Sequence, residues 1–134
     1  MRYMLDSSIC IAAIRDRQAP LAARLGKLMA GDVGLSSIVL AELEFGVKLS
    51  SRRVENQRAL DHFLSYFPVL DWPARATPIY AGIRTGLHRA GKLIGALDLL
   101  IAVHALAEKV ALVTDNEREF RRVPGLKIEN WLRR

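Results

Sequence analysis

A single carboxylate, Asp98, interrupts the apolar run Ala96-Leu97-Asp98-Leu99-Leu100-Ile101-Ala102-Val103-His104-Ala105-Leu106-Ala107. At helical spacing its neighbours are Ile94, Ile101, Ala102 and Ala105, none of which pairs with a charge. Removing an unpaired carboxylate from water costs several kcal/mol, so an acid here needs a cation, a proton or a hydrogen-bonding cap. Two roles are open on these residues. With Gly95 as N-cap, Asp98 occupies the third helical position. There it can reach back to the cap N–H and meet the positive helix end, with Ile94 and Leu99 as a hydrophobic staple. The other role is membership of a functional acidic site, and that depends on further carboxylates.

Three more acids stand where such a site needs them. Asp6 closes the short apolar run Tyr3-Met4-Leu5, and Asp115 closes the run 109–114. Glu42 shares a helical face with Ile38, Phe45 and Leu49, which directs it toward packed surface, whereas Glu44 has Lys48 four residues on and reads as a solvated, salt-bridged face. Acids gathered from separate segments repel one another unless a divalent cation lies between them. Oxygen donors without histidine or cysteine spacing favour Mg²⁺ or Mn²⁺ over Zn²⁺. Such a metal in a basic surface suits phosphodiester chemistry, because it activates water and neutralises developing charge.

The elements that must carry these acids alternate. Residues 3–5, 33–36, 67–70, 109–114 and 126–131 read as strands; Pro68 marks the third as an edge or a strand start, and the alternating last one reads as an edge. Between them lie helical segments at 9–14, 21–29, 38–49, 56–66 and 76–89, then the Asp98 helix. Gln18-Ala19-Pro20 breaks the chain and Ser37 is placed to cap the Glu42 helix. Thr114 with Glu117, or Asn116 with Glu119, can form a capping box for a short helix through Phe120. This alternation implies an α/β fold with a parallel sheet flanked by helices and right-handed crossovers. Carboxyl ends of the strands then share one edge, where ligands bind in such folds. No repeat, low-complexity tract or linker divides the chain, so a single domain over 1–134 is expected.

Bulk composition agrees. The 134 residues are 51% hydrophobic and 25% charged, which fits a globular chain and excludes a disordered one. No run is long and apolar enough for a bilayer or shaped like a signal peptide, so no membrane partner is expected. Cys10, the single cysteine, sits in an apolar run and is expected in the core of a cytoplasmic protein. A net charge of +6 and a pI near 10.0 point to a polyanion, nucleic acid before membrane, although the basic residues, from Arg52-Arg53 to Arg133-Arg134, are dispersed. There is no glycine-rich dinucleotide fingerprint and no P-loop. Phosphatases with a strand-end aspartate nucleophile carry a second aspartate two residues on, where this chain has Ser8. His62, His88 and His104 lack the spacing and cysteine partners of a zinc site; His104 reads as a packing residue, and no Ser-His-Asp arrangement can be inferred.

Four segments together carry a family resemblance: Met4-Leu5-Asp6-Ser7-Ser8-Ile9, Leu40-Ala41-Glu42-Leu43-Glu44-Phe45-Gly46, Ile94-Gly95-Ala96-Leu97-Asp98-Leu99-Leu100-Ile101-Ala102 and Leu112-Val113-Thr114-Asp115-Asn116-Glu117-Arg118-Glu119-Phe120. In this order they resemble the motifs of PIN-domain ribonucleases, more narrowly the VapC toxins of bacterial VapBC toxin–antitoxin pairs. The resemblance implies a PIN-like three-layer sandwich and a Mg²⁺- or Mn²⁺-dependent endoribonuclease acting on structured RNA such as tRNA. It also implies a homodimer, neutralised by a cognate VapB-type antitoxin whose C-terminal segment enters the active-site groove. By motif, Asp6, Glu42, Asp98 and Asp115 correspond to the catalytic acids, with Asp6, Asp98 and Asp115 at the metal. Two departures stand out. Ser7-Ser8 replaces the usual Thr-Asn, leaving Ser7 to supply the hydroxyl, and in the fourth motif Asn116 and Glu119 compete with Asp115 for its role. The reading from another class is a non-catalytic RNA- or partner-binding α/β module in which the acids only cap helices. The stripes Leu21, Leu25, Leu28 and the Glu42 helix are candidate dimer or antitoxin contacts, with core packing the commoner use.

Overall fold

A computed structural model of the protein describes residues 1–15, 19–29 and 31–132. Of the expected break Gln18-Ala19-Pro20, Gln18 lies outside them, as does the basic pair Arg133-Arg134, while Ala19 and Pro20 do not break the chain but open a helix. Five short strands, β1 (Tyr3–Leu5), β2 (Val33–Ser36), β3 (Val69–Leu70), β4 (Ala111–Val113) and β5 (Ile128–Glu129), form one sheet in the order β3-β2-β1-β4-β5. Every pairing is parallel, with Tyr3 beside Val33 on one side and beside Ala111 on the other. The chain runs outward from β1 through β2 to β3, then returns to the other side of β1 for β4 and β5. The β1–β4 boundary is therefore the topological switch point, the place where an open parallel sheet leaves a crevice.

Helices α1 (Ser7–Arg15), α2 (Ala19–Gly26), α3 (Ser37–Leu49) and α4 (Arg53–Leu64) fill the connections on the outward run. A 3-10 turn (Ala74–Ala76), α5 (Thr77–Arg89), α6 (Ala96–Glu108) and α7 (Glu117–Phe120) fill those on the return. Right-handed crossovers in opposite directions put these two sets on opposite faces. This is the expected three-layer α/β arrangement. The sheet centre is fully buried through Met4, Leu5, Leu35, Leu112 and Val113, and Phe120 and Trp131 close its β4–β5 flank. Cys10 is in the core as its apolar run implies. No helix among the described residues is long and apolar enough to cross a membrane.

Local chemistry shifts several boundaries. The segment expected to be helical to residue 29 stops at Gly26; the Asp32 carboxylate accepts from the Met29 N–H at 2.9 Å and Gly31 turns at φ 91°, which leaves Met29 78% exposed rather than on a packed stripe. Lys109 does not begin a strand. It takes the left-handed conformation at φ 58° and ends α6, with the Val110 N–H bonded back to Ala105 O at 3.1 Å. The cap of α3 is Ser36, not Ser37: the Ile38 N–H donates to Ser36 Oγ at 3.2 Å, while Ser37 Oγ accepts from the Trp72 N–H at 3.0 Å. Glu44 bonds Gln57 of α4 at 3.3 Å, and no ion pair with Lys48 forms among the described residues.

Candidate metal centre

Asp6 leaves the end of β1 directly beside the switch point, its N–H bonded to Val113 O of β4 at 2.8 Å. The side chain is 4% exposed and surrounded by donors. The Ser7 N–H reaches Oδ1 at 2.8 Å, Thr114 Oγ1–H reaches Oδ2 at 2.8 Å, and the Ser8 hydroxyl reaches Oδ2 at 3.4 Å. Thr114 is itself oriented, since its Oγ1 accepts from the Asn116 N–H at 3.0 Å. Burial pushes the Asp6 carboxyl above its ordinary range; the three donors oppose that, and the nearby Asp115 charge adds to it.

Glu42 rides the second turn of α3, half-buried, where burial and then the Asp6 charge raise its carboxyl while a hydrogen bond with Ser7 lowers it. One oxygen, Oε1, has no exposed surface and no hydrogen-bond partner. Of the face expected to pack, Ile38 does pack against the core, but Phe45 is 63% and Leu49 71% exposed. Glu42 therefore points at the acids while Phe45 and Leu49 protrude.

Gly95 and Asp98 stand at N-cap and third helical position as the spacing implies, and Ile94 and Leu99 are both buried beneath them. The cap contact is different. The Gly95 N–H donates to Glu119 Oε1 at 2.9 Å, so Asp98 does not use it. A β-carbon on Gly95 would lie 3.4 Å from Asp98 Oδ2 and 3.7 Å from Glu119 Oε1, which shows how closely the two carboxyls flank this turn. Burial, then Glu119, Asp6, a hydrogen bond to Glu119 and Glu42 push Asp98 up to about 7. Burial also raises Glu119, but the Gly95 N–H, Asn116, the Asp98 carboxyl and Arg122 outweigh it and leave Glu119 below its ordinary range. Of the two neighbouring carboxyls, Asp98 is therefore the one held toward its protonated form and Glu119 the one held toward its charged form. Asp115 is exposed and enters this field only through Asp6.

The geometry brings Asp6, Glu42, Asp98 and Glu119 into one electrostatically coupled group at the strand carboxyl ends, with Asp115 at its rim. Among the described residues no three such side chains are close enough together to hold an ion as they stand, so binding one calls for side-chain rotation. The donor chemistry fits a hard divalent cation all the same. Only oxygens converge, one of them is buried without a partner, and burial and the neighbouring acids hold the Asp98 carboxyl well above its ordinary range. Sequence reasoning read Thr114 only as a helix cap. Asn116, not Thr114, is the cap position of α7, and no side chain caps it. The Thr114 hydroxyl instead accepts from the Asn116 N–H in the turn before the helix and donates to Asp6, a contact between segments 108 residues apart that no local pattern signals.

A family model, PIN domain, matches residues 3–126. The chain belongs to the PIN-domain family. Within it, similarity runs to the VapC group: the chain is 46% identical to Ribonuclease VapC2 of Rickettsia felis over 132 residues, covering 98% of both. It is 37% identical to the tRNA(fMet)-specific endonuclease VapC of Shigella flexneri, again over 98% of both chains. A crystal structure of VapBC2 from Rickettsia felis bound to a DNA fragment from their promoter superposes with TM-score 0.92 at 45% identity, covering 98% of this chain and 99% of that one. The PIN fold expected from the four motifs is the fold observed, and the acids of this PIN domain lie on the elements those motifs occupy.

Proposed function

We propose that this PIN domain is the endoribonuclease toxin of a toxin–antitoxin pair, dependent on Mg²⁺ or Mn²⁺ and acting on structured RNA, tRNA foremost. The names of its relatives support the reaction class and substrate, a ribonuclease and a tRNA-specific endonuclease. The observation that carries the site is Asp98, a carboxyl raised to about 7 by burial and by three other acids. Strong perturbation by desolvation plus specific partners in a crevice marks a functional acid.

When bound, the metal would be held by Asp6 and Asp98, with Glu42 oriented toward them and Glu119 or Asp115 as the further acid, and it would supply an activated water and a counter-charge for the phosphodiester. The chain's own residues do the rest. Thr114, Ser7 and Ser8 fix the Asp6 carboxylate so that it meets the site in one orientation. Glu119 holds Asp98 against the α6 N-terminus, and its closer contact makes it a stronger candidate than Asp115 for the fourth acid. Glu42 offers an oxygen with no other engagement. Dispersed Arg and Lys side chains hold the RNA backbone.

A cognate VapB-type antitoxin is the matching partner, by likeness to a VapBC complex. A cavity of about 130 Å³ beside Glu42, lined by Ile11, Ile14, Leu43 and Val47, supports entry of an antitoxin segment next to the site. Action in the cytoplasm as a homodimer completes the reading.

The test is RNA cleavage by Asp98→Asn. Cleavage falls by at least about 100-fold while the thermal unfolding transition is kept. EDTA abolishes wild-type cleavage and Mg²⁺ or Mn²⁺ restores it. Wild-type cleavage that persists in EDTA overturns the metal-dependent reading.

A further inference from the structure

Of the polar side chains the proposed reaction does not use, Ser36 and His104 are both fully buried, and they touch. His104 Nδ1 lies 2.7 Å from Ser36 Oγ across 68 residues of chain. His104 interrupts a buried face of α6 that otherwise consists of Leu99, Ile101, Ala102, Val103 and Ala105. An aliphatic side chain would pack there without the cost of burying an imidazole. The cap bond of α3 itself is made by Ser36 Oγ, which accepts the Ile38 N–H; the histidine adds a hold on that same hydroxyl.

The surrounding groups assign the roles. His104 Nε2 is buried without a hydrogen-bond partner and lies 3.7 Å from Glu108 Oε1, a carboxylate held by Arg75. That negative charge favours the proton on Nε2. Nδ1 then accepts from the Ser36 hydroxyl, whose oxygen in turn accepts from Ile38. Serine, histidine and glutamate stand in the order of a catalytic triad, but the serine oxygen is sealed in the core and committed to a helix cap. A second link runs parallel: the Trp72 N–H donates to Ser37 Oγ, and Trp72 Nε1–H donates to Leu100 O of α6 at 2.9 Å.

Both links join the first turn of α3 to the middle of α6. We infer that Ser36 and His104, seconded by Trp72, are positioning residues that lock α3 against α6 and so set Glu42 opposite Asp98. What the two acids then do rests on the proposed function. The lever is short and symmetrical: Ser36 precedes Glu42 by six residues and His104 follows Asp98 by six, about 9 Å of helix in each case. A tilt of about 10° at the lock therefore moves Glu42 by about 1.6 Å. Metal coordination tolerates about 0.2 Å, and a misplacement of about 1 Å in a catalytic array can cost on the order of 100-fold.

Substitution of His104 separates this role from simple packing. Three quantities are measured on wild type, His104→Leu and His104→Asn: hydrogen exchange of the Ile38 amide without metal, Mn²⁺ affinity by calorimetry, and kcat with KM on RNA. His104→Leu fills the space but drops the bond, and the Ile38 amide then exchanges about 10-fold faster, Mn²⁺ binds about 10-fold more weakly, and kcat falls with KM nearly constant. His104→Asn, whose amide can replace Nδ1, returns all three to within about threefold. If His104→Leu fails to fold, Ser36→Ala deletes a single oxygen and carries the same expectation for Mn²⁺ affinity and kcat. Wild-type values for exchange, affinity and kcat in a folded His104→Leu protein overturn the inference. A wild type that neither binds Mn²⁺ nor cleaves RNA refutes the proposed function instead, and the Ile38 amide still decides whether the lock exists.

Discussion

Asp6 and Asp98 are aspartates at the amino ends of helices on the same edge of the sheet, yet their surroundings differ in kind. Asp6 is nearly sealed and receives three donors, from Ser7, Ser8 and Thr114, which hold its carboxylate as part of the α1 start and the β1–β4 junction. Asp98 is half-buried, leaves its own cap N–H to Glu119, and is driven to about 7 by that burial first and then by the other acids around it. One carboxyl is satisfied by the fold and the other is left to be satisfied by something added. A cap-only account makes the two alike; a metal-site account requires the difference.

The largest expected effect lies on the satisfied side. Asp6→Ala strands the Thr114 hydroxyl and the Ser7 N–H and costs about 3 kcal/mol in urea unfolding, whereas Asp98→Ala costs under about 1 kcal/mol. Equal losses would erase the distinction. Thr114→Val keeps the shape but removes one donor from Asp6, with an expected cost of about 1–2 kcal/mol by the same melts.

A smaller effect, of opposite sign, belongs to Asp98. Its folded value of about 7 lies above the ordinary 3.8, so folding favours its proton. The stability this provides is complete below about pH 4 and is lost as pH rises through about 7. Calorimetry in EDTA is therefore expected to show wild type losing Tm between pH 5 and pH 8 and Asp98→Asn losing less, which leaves the variant about 4 °C higher at pH 8. A variant melting below wild type at pH 8 would restore the capping role. The smallest effect is expected at Glu44, remote from the group and bonded among the described residues to Gln57, which also holds Asp61; Glu44→Ala changes stability by less than about 0.5 kcal/mol.

The same contrast explains what was legible in the sequence. Features set by short stretches of chain could be read: β1 ending on Asp6, the edge positions of β3 and β5, and Gly95 and Asp98 at the start of α6. Local hydrophobic period and capping chemistry decide these, and they decided them here. Features set by packing between distant segments could not. Glu44 has Lys48 at the favourable spacing, but α4 brings Gln57 within reach and takes the bond. Ser36 and Ser37 are equally good caps by type, and the choice between them falls to His104 on one side and Trp72 on the other. Glu119 stood beside Asp115 as a candidate in the fourth motif; its contact with the Gly95 turn, 24 residues away, distinguishes it from Asp115. The face of Glu42 is divided: Ile38 packs on the core as its type implies, but Phe45 and Leu49 are apolar and exposed, a pattern that marks a surface awaiting a partner as readily as a core.

The most direct test of the central claim is the thermal shift produced by Mn²⁺ at pH 7.5 in wild type and in Asp98→Asn. An ion at about 100 times its dissociation constant adds about 2.7 kcal/mol to the folded state. Wild type is therefore expected to gain several degrees, and Asp98→Asn to gain little. A wild-type Tm that does not move with Mn²⁺ or Mg²⁺ would contradict the account.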